Sequence, residues 1–172
     1  QTAALLDRRA ALRLLCVPGM LAADAALAQP SLAAIGQPRI VSASGATTEI
    51  VYALGAEKQL VGTDTPSLFP PAALQTPKVG YMRQLSAEGL LSLKPDAVIG
   101  TTEAGPSVVM DQIRSAGVKV VLVASDHGWG EVQRKVAAVG LATARVAQAA
   151  AFQASLDAQW AEVLARVASQ RA

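Results

Sequence analysis

The chain has 172 residues, of which 52% are hydrophobic and 16% are charged, and its formal net charge at pH 7 is +2. This length and composition exclude a disordered chain and predict one ordinary domain with a sizeable core. The near-neutral charge balance lacks the basic stripe of a nucleic-acid binder, and the counts of one cysteine and one histidine exclude an intrachain disulfide, a Cys-ligated cluster and a His/Cys-rich zinc site.

Residues 1–28 have the pattern of a secretory signal peptide. Arg8 and Arg9 precede an uncharged stretch at 14–23, and Ala26-Leu27-Ala28 offers the small residues of a cleavage site. An apolar run of this length is too short to span a bilayer. We therefore expect cleavage after Ala28 and export to the periplasm. The arginine pair leaves Sec and twin-arginine export both open.

Beyond residue 28, β-branched or apolar runs alternate with segments that carry helix signals. Ser, Thr or Pro stands at several of the helix starts, and glycine or proline follows the ends. The predicted strands are 39–43, 59–63, 96–100 and 118–124. The predicted helices are 47–54, 86–93, 106–116, a helix from 130 that Gly140 interrupts, and a long helix at 144–168. The predicted fold class is therefore α/β: a single lobe at 29–143 with a parallel sheet flanked by helices, ending in a long spine helix at 144–168.

The long helix has an apolar stripe at helical spacing. Its members are Ala149, Phe152, Leu156, Trp160, Val163 and Val167. At 1.5 Å per residue the helix is about 37 Å long, more than one small sheet needs for cover. The stripe predicts that Phe152 and Trp160 are core residues and that the helix is a spine between two lobes.

Small polar and glycine-bearing loops follow the predicted strands. Ligands of open parallel sheets bind outside the carboxyl ends of the strands, so these loops form the predicted site. The candidate ligand-binding residues are Ser44, Gly45, Thr47, Thr65, Thr102 and His127, joined by Tyr81 from the extended piece at 78–81. Simple helix capping explains Thr47 as well, and a lone histidine on a glycine-rich loop is more often solvated than a ligand.

Tyr81 is the residue whose chemistry points most directly to a ligand. A phenolate is a hard anionic oxygen that suits ferric iron, and tyrosine is an established haem ligand. Arg83 lies two positions further on, and in an extended segment it shares a side with Tyr81, where its positive charge favours the phenolate. From the residues alone, a tyrosine packed under a loop with Arg83 in solvent is the simpler explanation.

No catalytic or nucleotide-binding motif accompanies these residues in the sequence. The chain has no Gly-x-Ser-x-Gly nucleophile motif, no Gly-x-Gly-x-x-Gly fingerprint and no P-loop. Asp126 and His127 are adjacent, and adjacent residues seldom orient each other as in a catalytic triad. We therefore predict a protein that is not an enzyme. The alternative from another class is a flavodoxin-like enzyme acting through His127.

The segment Gly-Tyr-Met-Arg-Gln-Leu-Ser-Ala-Glu-Gly at residues 80–89 resembles the periplasmic haem-binding proteins of bacterial haem ABC importers. The pieces at 39–42, 48–56 and 60–64 look like the opening of the same family, and the resemblance covers residues 39–168. The Leu-Lys-Pro-Asp element at 93–96 is shared with the wider helical-backbone family that binds ferric siderophores and cobalamin. A ferric siderophore or cobalamin therefore stays open as the alternative ligand.

The resemblance implies capture of haem in the periplasm and its delivery to an ABC permease, with an outer-membrane haem receptor system upstream. It makes Tyr81 the axial ligand of the haem iron, Arg83 a hydrogen-bond donor to the tyrosine oxygen, and Glu88 a docking residue for permease arginines. The helix dipole alone also explains a carboxylate in the first turn of a helix. The family has two lobes joined by a long helix, so by resemblance the second lobe is missing from this chain and haem binding is weakened.

Overall fold

Residues 36–170 are described by a computed structural model of the chain. The predicted signal peptide and its cleavage after Ala28 lie outside these residues. The strands are β1 Ile40–Ala43, β2 Leu60–Thr63, β3 Ala97–Thr101 and β4 Lys119–Val123. They form one parallel sheet in the order β2-β1-β3-β4.

Five α-helices lie in the described part of the chain, and they are α1 Gly45–Ala53, α2 Ala87–Ser92, α3 Ser107–Ser115, α4 Trp129–Ala142 and α5 Val146–Gln170. Short 3₁₀ helices at Glu57–Gln59 and Pro71–Gln75 flank β2. The predicted helix signals act as expected. Ser86 caps α2 by accepting a hydrogen bond from Gly89 N at 3.0 Å, and Gly117, with φ of 84°, follows the end of α3.

Helices cover both faces of the sheet, which confirms the predicted α/β lobe. The side chains of β1 and β3 alternate between two cores, as strand geometry requires. Ile40 and Ile99 pack on one face with α1, α4 and α5. Val41 and Val98 pack on the other face with α2 and α3. Because both faces are covered, every residue of β1 and β3 is buried, rather than every second one.

Gly140 does not interrupt a helix, so that expectation is wrong. It lies inside α4, which continues to Ala142, and the chain turns afterwards at Ala144 with φ of 55°. Gly140 is buried, and a Cβ built on it would lie 2.4 Å from the Cβ of Ala149 on α5. The missing side chain therefore allows α4 and α5 to approach each other closely. The long helix accordingly begins at Val146, two residues later than expected.

The first half of α5 covers the sheet and its second half does not. Ala149 is buried, and Phe152 packs against the same core as a half-buried residue. Trp160 is 39% exposed, so its assignment to the core is wrong. Val163 and Val167, further along the stripe, are also exposed. None of the helices in residues 36–170 combines the length and the hydropathy needed to cross a membrane.

Candidate functional site

The carboxyl ends of the four parallel strands meet at one edge of the sheet, where the candidate site lies. Loops leave this edge after Ala43, Thr63, Thr101 and Val123. The candidate residues Ser44, Gly45, Thr47, Thr65, Thr102 and His127 lie in these loops or in the first turn that follows them. The topology therefore gathers them at one end of the lobe, and their contact with a ligand stays a prediction.

Tyr81 reaches this edge through an extended segment that runs beside the end of β2. The backbone N–H of Thr65 donates to the carbonyl of Gly80 at 2.9 Å, and Gln84 N donates to the carbonyl of Tyr81 at 2.8 Å. Gly80 has φ of 102°, which side chains rarely allow, so the glycine sets the direction in which Tyr81 leaves the segment. The Tyr81 side chain is 45% exposed, and its hydroxyl has no hydrogen-bond partner within residues 36–170.

Arg83 is paired with Glu103, a residue that sequence reasoning did not select. Arg83 Nη2 lies 2.8 Å from Glu103 Oε2, and the two side chains are 57% and 43% exposed. The hydrogen bond and the charge of Glu103 raise the pKa of Arg83, and nearby Tyr81 adds to the rise. The pair joins two loops that are 20 residues apart in sequence. No local sequence pattern predicts such a contact.

The Tyr81 segment is tied by its backbone to the loop between β3 and α3. Gly105 N donates to Met82 O at 2.9 Å, and Leu85 N donates to Gly105 O at 2.9 Å. A shallow depression of about 350 Å³ opens beside this junction. Its lining residues are Arg83, Thr102, Glu103, Ala104, Gly105, Pro106 and Ser107. Two of the predicted site residues, Arg83 and Thr102, therefore share one concave surface.

A buried polar network underlies the edge between β1 and β2. Its side chains are Ser42, Thr47, Thr48, Ser67 and Asp64, all of them buried. Ser42 Oγ lies 2.8 Å from both threonine hydroxyls, Thr48 Oγ1 lies 2.8 Å from Ser67 Oγ, and Ser67 is hydrogen-bonded to Asp64. Thr47 Oγ1 also donates to the carbonyl of Ser44 at 2.9 Å. Burial raises the pKa of Asp64 above its ordinary value of 3.8.

The network changes the roles expected of Ser44 and Thr47. Thr47 is 1% exposed and its hydroxyl is used inside the fold, so its side chain supports the loop after β1. Ser44 is 7% exposed and occupies the N-cap position of α1, with no side-chain capping bond. Sequence reasoning missed Asp64 and Ser67. Their signal was a carboxylate directly after a strand, with a serine three residues on.

The loop that carries His127 is held by Glu131 in the first turn of α4. Glu131 Oε2 accepts hydrogen bonds from the backbone N–H groups of Asp126 at 2.7 Å and His127 at 2.6 Å. Its other carboxylate oxygen pairs with Lys135 one helical turn on. The Lys135 contact and these backbone donors lower the pKa of Glu131 from an ordinary 4.5 to about 2. His127 is thereby fixed at φ of 57° with an exposed imidazole.

The lowered pKa of Glu131 predicts an acid-sensitive contribution to stability. A carboxyl whose pKa is depressed in the folded state stabilises the fold fully above its unfolded value and progressively less below it. We expect the unfolding free energy of wild type to exceed that of Glu131→Gln above pH 4.5, and the difference to shrink as the pH falls towards 2. Urea titrations from pH 7 to pH 2.5 measure the difference. Glu162→Gln, a change at an exposed carboxylate on α5, is the control; a pH-independent difference for Glu131→Gln contradicts the prediction.

Trp129 and Trp160 form a stacked pair at the start of α4. Their ring centroids are 5.0 Å apart and their planes differ by 6°. Trp129 Nε1 donates to Asp157 Oδ1 at 2.7 Å. This hydrogen bond, with further bonds from two glutamine side chains, lowers the pKa of Asp157. The pair ties α4 to α5 and accounts for both tryptophans without a ligand.

Glu88 lies on α2, apart from the loops that carry the predicted ligand residues. It is exposed in the first turn of α2 and is not among the residues that line the depression beside Arg83. No cluster of three or more His, Cys, Asp or Glu side chains able to hold a metal ion occurs within residues 36–170.

The chain matches a protein family and several solved structures. The profile of the family described as periplasmic binding protein matches residues 40–172. The chain is similar to the periplasmic heme-binding protein RhuT from Roseiflexus sp. RS-1, with 39% identity and a TM-score of 0.70 over 74% of this chain and 49% of that one. A periplasmic heme-binding protein from Pseudomonas aeruginosa is 38% identical, with a TM-score of 0.72 over 77% of this chain and 48% of that one.

Similarity also extends to a protein named for a different ligand. The vitamin B12-binding protein of Pectobacterium carotovorum subsp. carotovorum (strain PC1) is 30% identical over 110 residues, which are 63% of this chain and 37% of that protein. The chain thus spans about half the length of the two heme-binding structures and a little over a third of the B12-binding protein.

Proposed function

We propose that this chain, which belongs to the periplasmic binding protein family, captures haem in the periplasm and delivers it to an ABC-type permease. The family consists of substrate-binding transport proteins. The proteins similar to this chain include some that are named for binding heme and some that are named for binding vitamin B12. Because the chain spans about half the length of the solved relatives, the proposal concerns the lobe described here.

The observation that carries the proposal is the placement of Tyr81. Its phenol is 45% exposed at the strand-end edge, and its hydroxyl is without a hydrogen-bond partner among the described residues. A phenolate oxygen in this position is a suitable axial ligand for ferric haem iron. Tyr81 lies close enough to Arg83 to contribute to the raised pKa of the arginine. The guanidinium of Arg83 supplies a positive charge and several hydrogen-bond donors. In the proposed complex, Arg83 donates a hydrogen bond to the phenolate oxygen.

Haem is favoured over cobalamin by the segment that holds this tyrosine. Gly80, Tyr81 and Arg83 form the Gly-Tyr-x-Arg pattern that suggested haem from the sequence, and 39% and 38% identity to heme-binding structures is consistent with it. The 30% identity to a vitamin B12-binding protein supports cobalamin as the second candidate. The two ligands differ in their metal, which is iron in haem and cobalt in cobalamin, and a phenolate oxygen suits ferric iron.

The remaining predicted residues have three different roles in the proposal: contact with the ligand, support of a loop, and contact with the permease. Thr65, Thr102 and His127 are exposed at the edge and available to the ligand, and Gly45 leaves room for a close approach of the backbone. Ser44 and Thr47 act by shaping the loop after β1. Glu88, exposed on α2, is the proposed contact to permease arginines, where a rim charge of this kind steers association. An outer-membrane haem receptor system would supply the ligand.

Titration with haemin and with cyanocobalamin tests the proposal. We expect haemin to give a saturable shift of its visible absorption at a one-to-one end point, and a tenfold excess of cyanocobalamin to leave that titration unchanged. Iron-free protoporphyrin IX is the matched control for ring stacking, because it keeps the macrocycle and the carboxylates but offers no metal to Tyr81. Saturable binding of cyanocobalamin without binding of haemin would overturn the proposal in favour of the second candidate.

A further inference from the structure

The ion pair between Arg83 and Glu103 occupies the depression beside the proposed haem ligand. Glu103 contacts Arg83 through one oxygen and one nitrogen, Oε2 and Nη2, at 2.8 Å. A guanidinium carries five N–H donors, so this contact uses a small part of its capacity. Thr102 and Ser107 line the same depression, and both are exposed. The surface is thus open, polar and centred on a carboxylate held by an arginine.

We propose that Glu103 is a specificity residue, a built-in carboxylate that holds Arg83 in the empty protein and is displaced from it by a carboxylate of the bound tetrapyrrole. This inference rests on the proposed function. It assigns the ligand a chemical requirement, namely a carboxylate side chain that reaches the depression next to Tyr81.

Because the ion pair is exposed, breaking it to exchange partners costs little free energy. Both side chains are about half exposed, at 57% and 43%. Ion pairs in this setting contribute little to stability because water screens them and two long side chains must be held still. Releasing Glu103 therefore returns a carboxylate to solvent at small cost, while Arg83 keeps a carboxylate partner. The volume of the depression, about 350 Å³ and open to solvent, suits a substituent at the rim of a macrocycle.

The exchange also gives a reason for selectivity. Haem carries two propionate carboxylates, whereas the side chains around the corrin ring of cobalamin are amides. An amide offers Arg83 a neutral acceptor, which is a weaker partner than the charged carboxylate of Glu103. Glu103 therefore stays paired with Arg83 when the ligand is neutral and is displaced when the ligand carries a carboxylate. The ion pair thus discriminates between ligands by their charge.

Haemin and haemin dimethyl ester, in which both carboxylates are blocked, are the probes that test this inference. Glu103→Gln is expected to tighten haemin binding by about two- to fivefold, the range of exposed ion-pair couplings, and to leave binding of the ester unchanged. In the Arg83→Ala background the same change at Glu103 is expected to have no effect on haemin. The melting temperature of ligand-free Glu103→Gln is expected to equal that of wild type, which separates the exchange from a structural role.

Asp111→Asn is the matched control, because Asp111 forms a similar exposed pair with Arg114 at 2.8 Å on α3. It removes the same charge outside the depression and is expected to leave both affinities unchanged. Equal tightening of haemin and ester, or a Glu103 effect that persists without Arg83, overturns the inference, as does haemin binding that ignores Glu103→Gln. Failure of wild type to bind haemin overturns the proposed function itself, and this inference with it.

Discussion

Tyr81→Phe is expected to abolish the phenolate-to-iron charge-transfer absorption of the ferric haemin complex. The substitution removes one oxygen atom, and that oxygen has no hydrogen-bond partner among residues 36–170. The folded protein is therefore expected to keep its unfolding free energy within about 0.5 kcal/mol. Haemin affinity is expected to fall by about a hundredfold or more. Loss of a residue that only supports a metal ligand lowers metal affinity by about ten- to a hundredfold, and Tyr81→Phe removes the ligand itself. Visible spectra and haemin titrations measure the two effects.

Tyr52→Phe is the matched control for this experiment. The chain has two tyrosines, and Tyr52 lies on α1 as a half-buried residue rather than in the Tyr81 segment. It is expected to leave the spectrum and the affinity unchanged. If Tyr81→Phe keeps the wild-type charge-transfer band, the iron is held by another group and Tyr81 is not the ligand.

Gly140→Ala is expected to destabilise the fold by about 1–3 kcal/mol, the usual cost of overpacking a core. The added Cβ would lie 2.4 Å from the Cβ of Ala149, an atom fixed directly to the α5 backbone, so one of the two helices must move. The better helix propensity of alanine offsets at most about 1 kcal/mol of this cost. Urea unfolding monitored by far-ultraviolet circular dichroism measures the change.

Two further variants separate the clash from a general effect of replacing glycine in α4. Gly130→Ala places a Cβ 3.3 Å from Arg134 Nη1, the end of a flexible side chain, and is expected to be nearly neutral. Adding Ala149→Gly to Gly140→Ala removes the opposing atom and is expected to recover part of the lost stability. Wild-type stability of the Gly140→Ala variant would show that α4 and α5 are not in the close contact described above.

The elements were predictable from the sequence because their signals are local. Ser86 caps α2 through Gly89, three residues away, and Gly117 follows α3 with the positive φ that favours glycine. The apolar strands predicted a sheet covered on both faces, which is what Val41 and Ile40 show by packing into opposite cores. Such features depend on spacings of a few residues, and a single sequence contains those spacings.

Contacts between distant parts of the chain were beyond sequence reasoning. Gly140 gives the same sequence signal whether it ends a helix or lets a neighbouring helix approach closely. Its contact with Ala149, which distinguishes the two cases, exists only in the folded chain. The same applies to Glu103, which meets Arg83 across 20 residues. Thr47 lies near the start of α1 at the strand-end edge, and its contact with a ligand stays a prediction. Its burial depends on packing with segments that are distant in the sequence.

The buried network beneath the loop after β1 also links that loop to an acidic side chain. A path of five contacts leads from the carboxyl of Asp64 to the carbonyl of Ser44, and it passes through the hydroxyls of Ser67, Thr48, Ser42 and Thr47. Ser67 donates to the carboxyl group of Asp64 at one end of the path, and Thr47 donates to the carbonyl of Ser44 at the other. Burial raises the pKa of Asp64, while the hydrogen bond from Ser67 and the charge of Lys78 oppose the rise. The loop at the ligand edge is therefore anchored by an unbroken path of buried hydroxyl groups that ends at an acidic side chain, and removing any one of these hydroxyls interrupts the path.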